Sequence, residues 1–326
     1  MSSSPSSAAA AAQLAAFTSV LKELFATTFI GFALATTLYG VSVLQAFLYF
    51  RRYVQDRLAL KATVAVLWIL DTLTTIFSAH VLYVFVFGVL NRSVSVDITW
   101  SFTAEKFVVT IITFIAQCFY SHTIWQVSRS MIITLCISIL AVVTFALGIY
   151  TTVHLFENPA LDSISTRGFL IVSGLVQGLA ALNDVVITAA LSYHLHIKRS
   201  SLPSSNKLVD TLILYAVSRG VLTAIAQIMF LVLNVAIPRH QYWLPFHMVV
   251  GKLYVNSVLG TLNVRQGLSR RDEVILGPGI TTLGNAQMMN ERDETATKPI
   301  TFVPIRGVNS TTTTIDTFSR IDLEQG

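Results

Sequence analysis

From Ala26 to Phe50 the chain runs for 25 residues without a charged side chain. A helix of that length reaches roughly 37 Å, enough to cross a bilayer with some tilt. Six further apolar runs follow, at 62–90, 107–125, 131–156, 169–195, 211–237 and 244–263. In hydrocarbon every backbone N–H and C=O needs a partner within its own segment, which leaves the α-helix as the form for such runs. The expected fold is all-α: a polytopic integral membrane protein with seven transmembrane helices.

Composition agrees. Hydrophobic residues make up 53% of the chain and charged residues 12%, about half the charged share of a soluble domain. No basic stripe interleaved with aromatics lies on a soluble segment, so nucleic acid is not an expected partner; the lipid bilayer is. Cys118 and Cys136 both fall inside apolar runs and read as small buried apolar side chains rather than a disulfide.

Residues 1–25 form a Ser/Ala-rich leader without the basic start of a secretory signal. Residues 264–326 are rich in Thr, Gly, Asn and mixed charge, and read as a disordered tail. Lys and Arg flanking alternate ends of the runs number 11 on one side and 5 on the other. By the positive-inside rule the N-terminus is outside and the C-terminus cytoplasmic. The sequon at Asn91 then falls outside and is the expected glycosylation site. The basic, Ser-rich loop 196–210 and the tail face the cytoplasm and are where a cytoplasmic partner would dock. Plasma membrane or another secretory-pathway membrane is the expected location.

The last run, LPFHMVVGKLYVNSVLGTLNVR, is the one around which the rest is organised, because it carries Lys252, Asn256 and Asn263. Four charges lie inside the runs: Asp71, Asp184, Arg219 and Lys252. A charge in the bilayer costs several kcal/mol unless paired or hydrated, so each marks a candidate site. Counted from the inner ends, Asp71 and Arg219 lie roughly 12–14 Å deep, and Asp184 and Lys252 roughly 17 Å. One layer is expected, with Asp184–Lys252 and Asp71–Arg219 as its pairs and Asn183, Asn256 and Gln177 completing their hydrogen bonds. Such a layer either locks the bundle or lines a ligand or ion site. His80 reads as a packing residue. No zincin, P-loop or nucleophile-elbow pattern occurs, so neither an enzyme nor a cofactor is expected.

The seven-span layout resembles that of G-protein-coupled receptors, but span three ends His122-Thr-Ile-Trp125 and span seven has Asn256-Ser-Val-Leu259, neither of which follows that family. Lys252 resembles the retinal lysine of microbial rhodopsins only in its span: Met248 stands where a carboxylate would be needed, and span three has none. A fuller resemblance lies in Leu182-Asn-Asp-Val-Val-Ile-Thr-Ala-Ala-Leu191, Ser218-Arg-Gly-Val-Leu-Thr223, Gly251-Lys-Leu-Tyr-Val-Asn-Ser257 and Leu262-Asn-Val-Arg265. Over about 175–265 the chain resembles a family of uncharacterised multispan membrane proteins of mushroom-forming fungi, whose C-terminal half is a domain of unknown function. That resemblance implies a fungal integral membrane protein and brings no activity with it. The expected function is a receptor-like or sensor protein with a small-molecule ligand among the helices. A transporter or channel using the charged layer, or a structural membrane protein, are the alternatives.

Overall fold

The computed structural model describes residues 5–90, 97–197, 203–237 and 240–264, with some side chains within the helices, Arg219 among them, outside the description. Asn91, loop residues 198–202 and the tail from 265 lie outside the described residues.

Among those residues the chain forms seven long helices: α1 (Pro5–Arg52), α2 (Leu58–Leu90), α3 (Trp100–Ser128), α4 (Met131–Glu157), α5 (Arg167–Ile197), α6 (Pro203–Ala236) and α7 (244–264). A short 3-10 helix, Leu161–Ser165, joins α4 to α5. The described residues hold no strand, only an isolated bridge between Asp97 and Ala160. The many threonines fit these apolar helices because their hydroxyls donate to the carbonyl four residues back, as Thr37, Thr63, Thr113 and Thr144 do.

Five helical stretches are long and apolar enough to cross a membrane: Thr18–Arg52, Leu58–Phe87, Trp100–Ser128, Met131–Glu157 and Arg167–Ile197. Their outward faces carry bare apolar side chains, including Ile30, Leu34 and Leu44 on α1 and Ile132, Leu135 and Val142 on α4. An apolar exterior on this scale would aggregate in water and suits lipid. Cys118 and Cys136 are on that exterior, free and exposed, which corrects the expectation that they are buried. A thiol is apolar enough for either setting, so the sequence does not separate them.

Side-chain contacts fix the helix directions. Tyr39 meets Thr72 and Phe25 meets Phe85, so α1 and α2 run antiparallel. Asn256 and Asn263 of α7 reach Leu38 and Gln45 of α1, each 218 residues back. A constant separation means that α1 and α7 are parallel. His247 meets Glu105 and Thr261 meets Tyr120 at separations of 142 and 141, so α3 also runs parallel to α7. Ser121 meets Ser138 and Gly148 faces Thr110, so α3 and α4 are antiparallel. His154 at the end of α4 meets Phe169 at the start of α5. Gly220 faces Thr188 while Gly174 faces Leu231, so α5 and α6 are antiparallel, and the helices alternate in direction along the chain.

α7 is the axle. None of residues 244–264 is exposed, and their side chains bond α1, α2, α3, α5 and α6. Close approach depends on small residues. A Cβ on Gly31 would stand 2.9 Å from Met248 Sδ and 2.9 Å from Pro245 Cα, and one on Gly220 would overlap Thr188 Oγ1. The pair Gly174 and Gly178 is looser, meeting only Leu231 and Val235 side chains of α6. One end of the bundle is filled by an apolar cluster that includes Tyr49, Tyr53, Leu67, Ile124, Ile137, Leu191 and Leu259. A smaller cluster of Phe102, Leu155, Ile164, Phe169, Phe230, Trp243 and Leu244 closes the other.

Candidate functional site

The polar residues of α7 fall on two stripes. Lys252, Asn256 and Asn263 share one, at spacings of four and seven. His247 and Tyr254, seven apart, share the other, rotated roughly 170° from the first.

The first stripe faces α1 and α2. Lys252 Nζ lies 2.8 Å from Asp71 Oδ1, with both side chains enclosed. The ammonium also donates to the Asp71 carbonyl at 2.7 Å and to the hydroxyls of Thr74 and Thr75, and it lies 5.0 Å from the Tyr39 ring centre. Its three protons are fully used. Asn256 Nδ2 donates to the Leu38 carbonyl and Asn263 Nδ2 to that of Gln45, at 3.0 and 2.9 Å. The donors of this stripe are taken up, while Asp71 Oδ2, Asn256 Oδ1 and Asn263 Oδ1 have no hydrogen-bond partner among the described residues.

The expected pairing is therefore corrected. Lys252 pairs with Asp71, not Asp184. The reason is rotation: equal depth does not bring two side chains together unless both helices turn them the same way. Asp184, wholly buried on α5, is met by Tyr254, whose hydroxyl donates to Oδ2 at 2.7 Å and accepts from Gln227 Nε2 at 2.5 Å. Residues 252 and 254 point roughly 160° apart on α7. The side chain of Arg219 is outside the described residues. Asn183 is buried, and among the described residues neither of its amide atoms has a partner. Asn256 serves α1 rather than the charges, and Gln177 lines a cavity of the second stripe.

That second stripe leads to a group that the sequence reading left in a loop. α3 begins at Trp100, so Glu105 and Lys106 lie inside it, 2% and 8% exposed. Glu105 Oε2 is 2.9 Å from His247 Nε2. His247 is boxed by Phe102, Phe230 and Trp243, with ring centres 5.5, 5.9 and 6.1 Å away. Lys106 is different: among the described residues its ammonium has no hydrogen-bond or ion-pair partner, although Glu105 attracts it through space. Two signals could have found this group. Trp100-Ser-Phe-Thr-Ala104 is compatible with an earlier helix start, and His247 lies two turns above Tyr254.

Lys106 and His247 border two small cavities. One, of about 40 Å³, reaches along α3 to Gln117 and across to Gln177 of α5 and Gln227 of α6, with Val109, Phe145 and Val250 in its wall. The other, of about 10 Å³, lies toward the Trp243 end with Ser173 and Asn234. Gln117 has no partner for either amide atom among the described residues, nor has Asn234 for Nδ2 or Gln227 for Oε1. Among the described residues the cavities are thus lined by the Lys106 ammonium without a hydrogen-bond partner, unsatisfied amides and apolar wall. His80, by contrast, meets Ser101 at 2.9 Å and packs against Trp100, as a packing residue does. Among the described residues no three His, Cys, Asp or Glu side chains converge on a metal position.

An all-helical bundle with an apolar exterior and a polar interior is a membrane-embedded protein whose activity is not established. The profile described as "Family of unknown function (DUF6534)" matches residues 180–267. That stretch holds the Gln227–Tyr254–Asp184 chain, Lys252 and His247, but not Asp71, Glu105 or Lys106. No curated protein and no solved structure matches the chain.

Proposed function

We propose that the protein is a seven-span, receptor-like sensor of the plasma membrane or another secretory membrane, with its N-terminus outside, its tail cytoplasmic and its ligand site in the cavity beside Lys106 and His247. One observation carries this reading: the buried Lys106 ammonium, with no partner among the described residues, stands in the wall of a cavity. Burying a charge without a partner is costly, and a site that accepts this cost is more readily explained by binding than by packing.

The alternation of helix directions supports seven crossings. With the buried Lys106 removed from the outer loop, the basic residues lean further toward the cytoplasmic side. In that orientation Lys106 and His247 lie in the outer half, and the cavity runs from them toward the middle of the bundle. The apolar cluster around Tyr49, Ile124 and Leu259 fills the inner half, which favours a sensor over a carrier or channel. The closed Lys252–Asp71 pair acts as a structural lock, so binding is assigned to Lys106 rather than to the charged layer. The expected loop 196–210 is shorter in the structure, since α5 runs to Ile197 and α6 begins at Pro203. This α5–α6 connection and the tail would pass the signal to a cytoplasmic partner. Fungal origin rests on the motifs quoted from spans five to seven. Binding, not catalysis, is proposed.

The test is a pair of measurements on the purified full chain. Saturable ligand binding in nanodiscs together with no flux of the same ligand into sealed proteoliposomes supports the sensor. Flux that Lys106→Met abolishes would support a carrier instead.

A further inference from the structure

We propose that the cavity beside Lys106 binds a small carboxylate anion, of about the size of acetate. The inference rests on reading that cavity as the ligand site. Three features set the ligand class. The first is charge. Lys106 is nine-tenths buried and has no hydrogen-bond or ion-pair partner among the described residues, while Glu105 turns Oε2 to His247 at 2.9 Å. Among the described residues no carboxylate pairs with the ammonium, which Glu105 attracts only through space, so it is open to an anion entering the cavity. The second is hydrogen bonding. The Lys106 ammonium offers three N–H donors with no acceptor among the described residues, and a carboxylate has two oxygens with which to accept from it.

The third is size. A water needs roughly 10–15 Å³ of such space, so a cavity of about 40 Å³ takes a few water-sized groups. Sites for drug-sized ligands run to roughly 300–1,000 Å³. Val109, Phe145 and Val250 form an apolar wall that suits a methyl group at the other end of the molecule. A halide would satisfy the charge but leave that wall facing water.

The experiment is equilibrium binding of radiolabelled acetate to the full chain in nanodiscs, with wild type, Lys106→Met and Tyr120→Phe. Tyr120 hydrogen-bonds Ser257 and Thr261, away from the cavity lining, and controls for general damage. Saturable binding is expected in wild type, unchanged in Tyr120→Phe and at least about tenfold weaker in Lys106→Met. In case Lys106→Met does not fold, competition on wild type decides alone. Formate should displace acetate, while chloride at the same concentration and the bulkier pivalate should not. No saturable acetate binding, equal binding in Lys106→Met, or equal displacement by chloride or pivalate would overturn the proposal. These failures differ from failure of the sensor reading, which shows as flux in sealed proteoliposomes whatever the ligand.

Discussion

Lys252 Nζ stands 2.8 Å from Asp71 Oδ1, with the ammonium also held by the Asp71 carbonyl and by Thr74 and Thr75. The pair ties α7 to α2 through groups that no water needs to reach. Removing one partner leaves the other charge buried alone, which costs about 3–5 kcal/mol. Lys252→Met should therefore lower the thermal midpoint sharply. Asp71→Leu added to Lys252→Met should recover most of the loss, because an apolar replacement of a whole buried pair is close to neutral. A double variant no more stable than the single one would mean that the two charges do not depend on each other.

Asn256 and Asn263 fasten α7 to α1 by donating to backbone carbonyls two turns apart. Interhelical hydrogen bonds of this kind contribute about 0.6 kcal/mol on average in membrane bundles, with a maximum near 1.7. Asn256→Ala and Asn263→Ala should each reduce unfolding stability within that range. Their effects should add, since the sites are about 10 Å apart. Steric trapping or a thermal melt in detergent would show it.

Gly220 leaves no room for a side chain, because a Cβ there would overlap Thr188 Oγ1 on α5. Gly220→Ala should destabilise by about 1–3 kcal/mol through overpacking. Thr188→Ala in the same chain should relieve part of it, since that removes the hydroxyl and Cγ2 but leaves the residue 188 Cβ 2.9 Å from the new methyl group. An unchanged melt for Gly220→Ala would place α5 and α6 further apart.

Tyr254 stands between Gln227 and Asp184. Tyr254→Phe keeps the ring in its buried slot and removes only the hydroxyl. Asp184 then loses one of its contacts and Gln227 Nε2 its acceptor, at about 1–3 kcal/mol. The loss should exceed that of Thr261→Val, whose hydroxyl bonds its own helix at the Ser257 carbonyl as well as Tyr120. Comparing the two melts separates a buried polar chain from general loosening.

The helices, their alternation and the central place of α7 were legible in the sequence, because long uncharged runs interrupted by basic residues admit few structures. The partners of the buried charges were not. Hydropathy gives depth but not rotation, and these helices are apolar on several faces. Depth alone put Asp184 opposite Lys252, whereas helix rotation turns Lys252 to α2 and offers Tyr254 to α5. Glu105 and Lys106 were hidden for another reason. Two adjacent charges at the edge of an apolar run look like a loop, and only the fold brings His247 from 142 residues away to within 2.9 Å of Glu105. Gly220 likewise looks ordinary until Thr188 is placed against it.

Outward access to the cavity is tested most directly by thiol labelling. Ala180 lines the cavity of about 40 Å³ and is small, so Ala180→Cys can be built on a background with Cys118→Ala and Cys136→Ala. A membrane-impermeant thiol reagent should label this cysteine when added to the outside of sealed cells and not when added to the cytoplasmic face of inverted vesicles. Labelling from both faces would mean a through-path, and labelling only from the cytoplasmic face, or from neither, would contradict a sensor whose ligand site opens outward.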